Sequence, residues 1–199
     1  MNDSSDGLQA VLISIVARLT EAAANRRSPM HVPVVGTADG DLRMMVLRSC
    51  DADLSQLRFH TDARSPKVAA VGRGGPLSIL AFDPQDKVQI RARGLARVET
   101  DGPIADAAWA AASAYARRCY LAEMAPGTPS GHPLSGLPAE VEGMRPGEEQ
   151  LLPARANFAV LLVGLTRLDW LCLAHDGHRR ARFERGDPEQ AWQGTWVVP

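Results

Sequence analysis

The stretch Arg43-Met44-Met45-Val46-Leu47-Arg48 is a short apolar run with an arginine at each end. It lies in a predicted strand, residues 42–49, which is joined to an earlier apolar run across Asp39-Gly40. An Asp-Gly pair between two apolar runs is a strong signal for a β-hairpin turn. Because side chains alternate along a strand, Arg43 and Arg48 are expected on opposite faces. They would then contact different parts of a ligand, or simply end in solvent.

A second informative stretch, Phe59-His60-Thr61-Asp62-Ala63-Arg64-Ser65-Pro66-Lys67, begins at the end of another predicted strand, 57–61. Serine followed by proline is the order expected at a helix start, with serine as the cap and proline in the first turn. A lysine in the first turn opposes the helix dipole unless an anion lies between them. The stretch therefore indicates either a phosphate site or a capped surface helix with a solvated lysine.

The rest of the chain is mostly short strands joined by turns. A helix is predicted at about 6–25, and residues 103–124 are rich in alanine and helical by propensity. Residues 125–153 are rich in proline and glycine and form an irregular excursion. Further strands are predicted at 32–37, 77–82, 87–99 (with Gly94 as a candidate bulge), 158–165, 168–173, 179–184 and 195–198. This order favours a single mainly-β domain over residues 1–199, an antiparallel barrel or sandwich with peripheral helices.

Composition narrows the classes of function. The chain has 199 residues and a formal net charge of −1, so it has no global attraction to nucleic acid or to an anionic membrane. Its N-terminus is polar and acidic, and no apolar run approaches the roughly 20 residues that span a bilayer. Its three cysteines lack metal or redox spacing and are typical of small buried residues in a reducing cytoplasm. A cytoplasmic protein without nucleic-acid or membrane partners is expected.

The sequence contains two other clusters of potential ligand residues. His175 and His178 straddle a turn with no cysteine nearby, so no metal site is predicted. The arginines at 179, 180, 182 and 185 could suggest nucleic acid, but strand alternation sends 179 and 185 to the face opposite 180 and 182. Such a split cluster fits cofactor and substrate contacts better than a nucleic-acid surface.

The order of these motifs resembles the FMN-binding core of the pyridoxamine 5'-phosphate oxidase family. The motifs that carry the resemblance are Arg43-x-x-Val46-Leu47-Arg48, Phe59-His60-Thr61, Ser65-x-Lys67, Gln89 five residues before Gly94, and the closing run His178-Arg179-Arg180-Ala181-Arg182-Phe183 with Trp196 and Pro199. The resemblance implies an FMN-binding split β-barrel, and a homodimer that holds FMN in clefts between two barrels.

The resemblance also implies residue roles. The cofactor-binding residues would be Arg43, Thr61, Ser65 and Lys67 at the FMN phosphate, and Val46, Leu47, Gln89, Trp170 and Arg182 at the ring. Val46 and Leu47 would act through backbone groups, and Arg182 would approach from the partner subunit. Arg48 and Arg179 match positions that face the substrate. No catalytic side chain is assigned, because the flavin carries the redox step.

Some family features are missing. Pro66 replaces a basic residue that usually precedes the lysine, and Ala181 stands where a histidine usually follows the arginine. The family's stretch for the substrate phosphate, Tyr followed by Pro-Arg-x-Ser, is not recognisable. The expected function is an FMN-dependent oxidoreductase for a small anionic or polar molecule. The alternatives are a carrier or sensor of flavin, haem or deazaflavin on the same barrel, and a genuine pyridoxamine 5'-phosphate oxidase.

Overall fold

The structure is a computed structural model that describes residues 3–187 and 190–199. Within these residues there are nine strands and five α-helices. The strands are β1 (Val34–Thr37), β2 (Leu42–Met44), β3 (Leu47–Cys50), β4 (Gln56–Asp62), β5 (Gly75–Asp83), β6 (Val88–Glu99), β7 (Phe158–Cys172), β8 (Arg179–Glu184) and β9 (Gln193–Val197). The helices are α1 (Asp3–Ala24), α2 (Pro66–Val71), α3 (Gly102–Ala111), α4 (Ala114–Arg118) and α5 (Glu148–Leu151), with 3-10 turns at Cys119–Leu121 and Leu152–Asn157.

The strands form one sheet in the order β2-β1-β5-β6-β7-β4-β3, and β8 pairs with β7 and with β9. The pairings of β1 with β2 and β5, of β3 with β4, of β5 with β6 and of β8 with β7 and β9 are antiparallel. The prediction of a mainly antiparallel β fold with peripheral helices is confirmed.

Contacts divide the chain into two compact units. The first contains the described residues of Met1–Phe59, Gly74–Ala96 and Leu162–Pro199, and the second contains His60–Arg73 and Arg97–Leu161. Strands β4, β6 and β7 each run from one unit into the other. The two units are therefore built from interleaved pieces of sequence.

In the first unit, α1 packs against β3 and β9. Its inward face carries Ile15, Leu19 and Ala22, which are almost completely buried and spaced as one helical stripe. The segment Gly7–Ala24 is also long and apolar enough to cross a membrane by length and composition, a test that core helices of soluble proteins pass as well. Only 22% of Gly7–Ala24 is buried, so α1 lies on the surface of this unit with one apolar stripe packed inward.

The predicted hairpin at Asp39-Gly40 is present, with Gly40 in the left-handed conformation at a φ of 85°. The single strand predicted over 42–49 is wrong, because β2 ends at Met44 and β3 begins at Leu47. The Met45 amide donates to the Pro33 carbonyl at 3.0 Å, but proline has no N–H with which to return the bond. The ladder is interrupted at this point, and β3 then pairs with β4.

Two further strand predictions need correction. Gly94 is not a bulge, because β5 and β6 pair in unbroken register from Gly75–Ala96 to Asp83–Val88. The strands predicted at 158–165 and 168–173 form one strand, β7. Arg167 does not end it, because Arg167 lies opposite Glu184 in the β7–β8 ladder and forms an ion pair with it at 2.7 Å.

The second unit holds most of the helical structure. The helix predicted over 103–124 is interrupted after α3, since Ser113 has an extended backbone and its hydroxyl accepts the Ala116 N–H as the cap of α4. Residues 125–153 are mainly irregular, as predicted, yet Val141 and Leu151 are buried. They join Ala114, Leu121 and Ala154 in a hydrophobic cluster, so this excursion contributes to the core of its unit.

Candidate functional site

Three polar side chains of the second unit converge at the start of α2. Lys67 Nζ lies 3.2 Å from Thr61 Oγ1 and 3.2 Å from Ser65 Oγ, and the two hydroxyl oxygens are 3.2 Å apart. Thr61 and Ser65 are buried, at 5% and 2% exposure. Thr61 is the second-to-last residue of β4, Ser65 directly precedes α2 and Lys67 lies in the first turn of α2. The structure therefore brings together three of the four residues expected at the phosphate.

The Ser65 hydroxyl does not have the role expected of a helix cap. Ser65 occupies the N-cap position, but its side chain makes no capping hydrogen bond. Its hydroxyl points instead toward Thr61 and Lys67. Two hydroxyls and an ammonium group are donors of the kind that bind a phosphate, so this Lys67 cluster fits the phosphate of a cofactor such as FMN.

The carboxylate next to this cluster is paired with an arginine. Both oxygens of Asp62 accept hydrogen bonds from Arg64, at 3.0 Å and 2.8 Å. The side-chain hydrogen bond with Asp62 raises the pKa of Arg64. Arg64 also donates to the carbonyl oxygens of Ala122 and Glu123, at 2.9 Å and 3.3 Å. Arg64 thereby anchors the loop before α2 to the segment that directly precedes the irregular excursion.

A cluster of aromatic rings in the second unit packs beside the same loop. His60 packs edge-on against Phe158 at a centroid distance of 4.9 Å, and Phe158 also contacts Trp109 at 5.3 Å and Tyr120 at 5.1 Å. Sequence reasoning missed these aromatic contacts, because helical propensity over residues 103–124 does not indicate which side chains meet in the fold. His60 directly precedes Thr61, so these rings hold one end of the Lys67 cluster in place.

The residues predicted around β2 and β3 lie in the first unit. Arg43 donates to Thr37 Oγ1 at 3.0 Å and forms an ion pair with Asp41, which ties it to the β1–β2 hairpin. The Leu47 side chain is fully buried, and its amide donates to the His31 carbonyl at 2.9 Å. That amide is engaged within the protein, so the expected backbone contact at Leu47 cannot use its N–H in this arrangement.

Arg48 occupies a β-bulge, which the sequence did not reveal. Leu47 pairs with Phe59 and Ser49 pairs with Arg58, so Arg48 is the extra residue between them. A bulge re-aims the side chain that it carries, and Arg48 is exposed. Counting alternation from Arg43 to Arg48 therefore fails, because a strand break and a bulge intervene.

Gln89 and Trp170 lie on strands of the first unit. Gln89 is opposite Phe82 in the β5–β6 ladder and is partly exposed. Trp170 is opposite Ala181 in the β7–β8 ladder. Its indole nitrogen is buried and has no hydrogen-bond partner within residues 3–187 and 190–199. A buried indole N–H normally has an acceptor, so this donor fits a ligand that supplies one.

Arg182 and Arg179 have different surroundings, as strand alternation predicts. Arg182 Nε donates to Asp169 at 3.1 Å, and the same carboxylate accepts from Arg180 at 2.8 Å and Arg91 at 2.7 Å. Arg179 is exposed and pairs with Asp176 at 3.4 Å. Burial alone would raise the pKa of Asp169, but the hydrogen bonds from Arg180, Arg91 and Arg182 outweigh it and lower this pKa to about 2. Sequence reasoning missed Asp169. The local signal that could have indicated it is an acidic residue within an otherwise apolar predicted strand.

Comparisons with known proteins bear on the fold. No protein-family model matches the chain, and no curated protein matches it. Among solved structures, a pyridoxamine 5'-phosphate oxidase-related, FMN binding protein from Nostoc punctiforme matches with a TM-score of 0.70 at 24% identity, over 94% of this chain and 95% of that chain.

Two other solved structures are similar. PhzG from Burkholderia lata, in complex with tetrahydrophenazine-1-carboxylic acid, has a TM-score of 0.66 at 20% identity over 94% of this chain and 92% of that one. A general stress FMN/FAD binding protein from Xanthomonas citri has a TM-score of 0.51 at 13% identity, over 83% and 91%. The chain therefore has the split-barrel fold of the pyridoxamine 5'-phosphate oxidase-related FMN-binding proteins, as its motifs indicated.

Proposed function

We propose that this protein binds FMN and acts as an FMN-dependent oxidoreductase on a small anionic or polar molecule. The observation that carries the proposal is the Lys67 cluster, in which two buried hydroxyls and an ammonium group lie 3.2 Å apart. Oriented donors around a fixed cation are what a phosphate monoester needs, and a free riboflavin would leave them unused. The shared fold with FMN-binding proteins supports the same cofactor.

The chain's own residues would divide the work of holding the cofactor. FMN, when bound, supplies the transfer of hydride or electrons. Thr61, Ser65 and Lys67 would hold its phosphate, and the buried Trp170 N–H and the Gln89 amide are donors for acceptor atoms of the ring system. By the resemblance, Arg43 completes the phosphate site and Arg182 reaches the ring from a second copy of the chain in a homodimer.

An anionic or polar substrate is favoured by two exposed arginines. Arg48 is exposed at its bulge, and Arg179 is exposed, with a long ion pair of 3.4 Å to Asp176. The Burkholderia lata protein shows the same fold holding a carboxylic acid. The stretch that the family uses for the substrate phosphate is not recognisable in this chain, which argues against pyridoxamine 5'-phosphate as the substrate.

The first test is the absorption spectrum of the protein as purified. We expect the visible bands of oxidised flavin, whereas a haem spectrum would refute the proposal. Stopped-flow reduction of the FMN-loaded chain by candidate amines and by nicotinamide cofactors then separates an enzyme from a carrier. Flavin that no donor reduces would support the carrier alternative. Light scattering on the loaded protein tests the homodimer, and a flavin-loaded monomer would exclude it.

A further inference from the structure

A small cavity in the first unit has walls made of charged side chains. It has a volume of about 230 Å³ and is lined by Arg91, Arg93, Arg167, Asp169, Arg180 and Arg182. These residues lie on β6, β7 and β8. Because like charges repel at short range, a recess bounded by five guanidinium groups favours a negatively charged ligand. We call this recess the arginine cavity.

The carboxylates within the first unit balance only part of this positive charge. Asp169 is shared among Arg91, Arg180 and Arg182, at distances from 2.7 to 3.1 Å. Arg167 is paired with Glu184 at 2.7 Å. Two carboxylates therefore face five guanidinium groups, which leaves an excess of three positive charges in and around the cavity.

One of the arginines, Arg93, has a side chain without a structural role that can be seen within the described residues. Arg93 is exposed on β6, and no ion pair or hydrogen bond of its side chain is found within the described part of the chain. Its neighbours in the cavity are held in place by Asp169 and Glu184. The cavity thus combines guanidinium groups of fixed position with one whose donors remain available to a ligand.

The shape and charge define the kind of ligand. Planar guanidinium forks match the oxygens of phosphate groups in bidentate pairs. Pockets for drug-sized ligands measure roughly 300–1,000 Å³, so this smaller cavity suits a compact anion or one end of a larger molecule. A diphosphate carries about three negative charges near neutral pH, because a diphosphate monoester loses its third and last proton near the phosphate pKa of ~6, whereas free pyrophosphate keeps its fourth proton until above neutral pH. That charge equals the excess in the cavity.

We propose that the arginine cavity binds a diphosphate group, either as free pyrophosphate or as the diphosphate end of a nucleotide. The proposal does not rest on FMN chemistry. The cavity shares no residue with the Lys67 cluster, and Arg182 is the one lining residue that the resemblance also assigns to the flavin.

The test is calorimetric titration of the full chain with inorganic pyrophosphate, at low ionic strength and with FMN present. We expect one pyrophosphate per chain, with an affinity that falls as salt is added. Arg93→Gln should weaken binding roughly three- to tenfold, between the values for exposed and buried charged pairs. Arg97→Gln is the matched control, since Arg97 is an exposed arginine on the same strand that pairs with Glu99 outside the cavity.

Further titrations test whether pyrophosphate binds in the arginine cavity, and whether the diphosphate is free or part of a nucleotide. Lys67→Met should leave pyrophosphate affinity unchanged, even if FMN binding is lost or never existed. ADP that binds more tightly than pyrophosphate, with adenosine not binding, would show that the cavity receives the end of a nucleotide; equal affinities would point to the free anion.

Three results would overturn the proposal. The first is no binding of pyrophosphate, and the second is equal weakening by Arg93→Gln and Arg97→Gln. The third is a loss of self-association in Arg93→Gln with pyrophosphate affinity unchanged, which would make the cavity a contact between copies of the chain.

Discussion

A Cβ atom placed on Gly94 would lie 2.0 Å from the carbonyl oxygen of Gly164. Both residues are inside strands, Gly94 in β6 and Gly164 in β7, and the atom that would collide is backbone. Backbone cannot turn aside as a flexible side chain can, so the sheet has this close approach only because position 94 lacks a side chain.

Gly94→Ala is therefore expected to destabilise the protein by at least the ~1–3 kcal/mol typical of overpacking. Urea unfolding followed by circular dichroism measures the change. Gly131→Ala is the control, because no atom lies within 4 Å of the added methyl there and the change should stay within about 0.5 kcal/mol. Equal stability of the two variants would show that the β6–β7 approach is looser than described.

Lys67→Met should weaken FMN binding by ~10- to 150-fold, since a charge-assisted hydrogen bond contributes about 1.5–3 kcal/mol. Riboflavin affinity should not change, because riboflavin lacks the phosphate. Fluorescence titration of the apo-protein with both ligands measures the difference, and Arg43→Ala is expected to behave in the same way. Lys87→Asn, on an exposed turn, is the control. Equal weakening of both ligands would remove Lys67 from the phosphate site.

Asp169 should make the stability of the protein depend on pH in the acid range. Its folded-state pKa is lowered from 3.8 to about 2, so the carboxylate stabilises the fold above pH 3.8 and this stabilisation is lost as the pH falls toward 2. After allowance for solvent around the half-exposed arginines, the contribution is on the order of 1 kcal/mol.

Comparing Asp169→Asn with the natural protein by urea unfolding at pH 6 and at pH 2.5 tests this contribution. The difference in the free energy of unfolding should be larger at pH 6. A difference that is constant across this range would mean that the carboxylate gains nothing from its ionisation in the folded protein.

Lys87 has a positive φ of 53° in the turn between β5 and β6. A left-handed conformation costs a lysine roughly 1–2 kcal/mol, whereas asparagine adopts it more readily. Lys87→Asn should therefore raise the free energy of unfolding by a few tenths of a kcal/mol up to ~1 kcal/mol. A decrease in the urea midpoint would show that the lysine side chain stabilises the turn by more than the backbone strain costs.

Pyridoxamine 5'-phosphate should be a poor substrate. Without the family's recognisable phosphate-binding stretch, the complex lacks charge-assisted bonds worth ~1.5–3 kcal/mol each. The loss of two or three would slow turnover by several orders of magnitude. An oxygen-consumption assay measures it, and efficient turnover would identify the protein as a working pyridoxamine 5'-phosphate oxidase.

Local patterns were enough to predict several elements of the fold. The alternation that buries Val88, Ile90 and Ala92 in β6, and the Asp39-Gly40 hairpin, depend on residues close together in the chain. The start of α2 follows in the same way from Ser65-Pro66. The motifs that indicated the split-barrel fold are defined by residue identity and by their order along the chain. The sequence contains both kinds of information.

Other features depend on which segments become neighbours, and the tertiary structure alone decided them. The role of Gly94 follows from Gly164, seventy positions later, and the break after Met44 follows from the lack of an N–H donor on Pro33. Asp169 became the centre of an arginine cluster because β6 and β8 both bring arginines to it. Periodicity in the sequence assigns a side chain to one face of a strand. Only the pairing of distant strands determines which residues that face contacts.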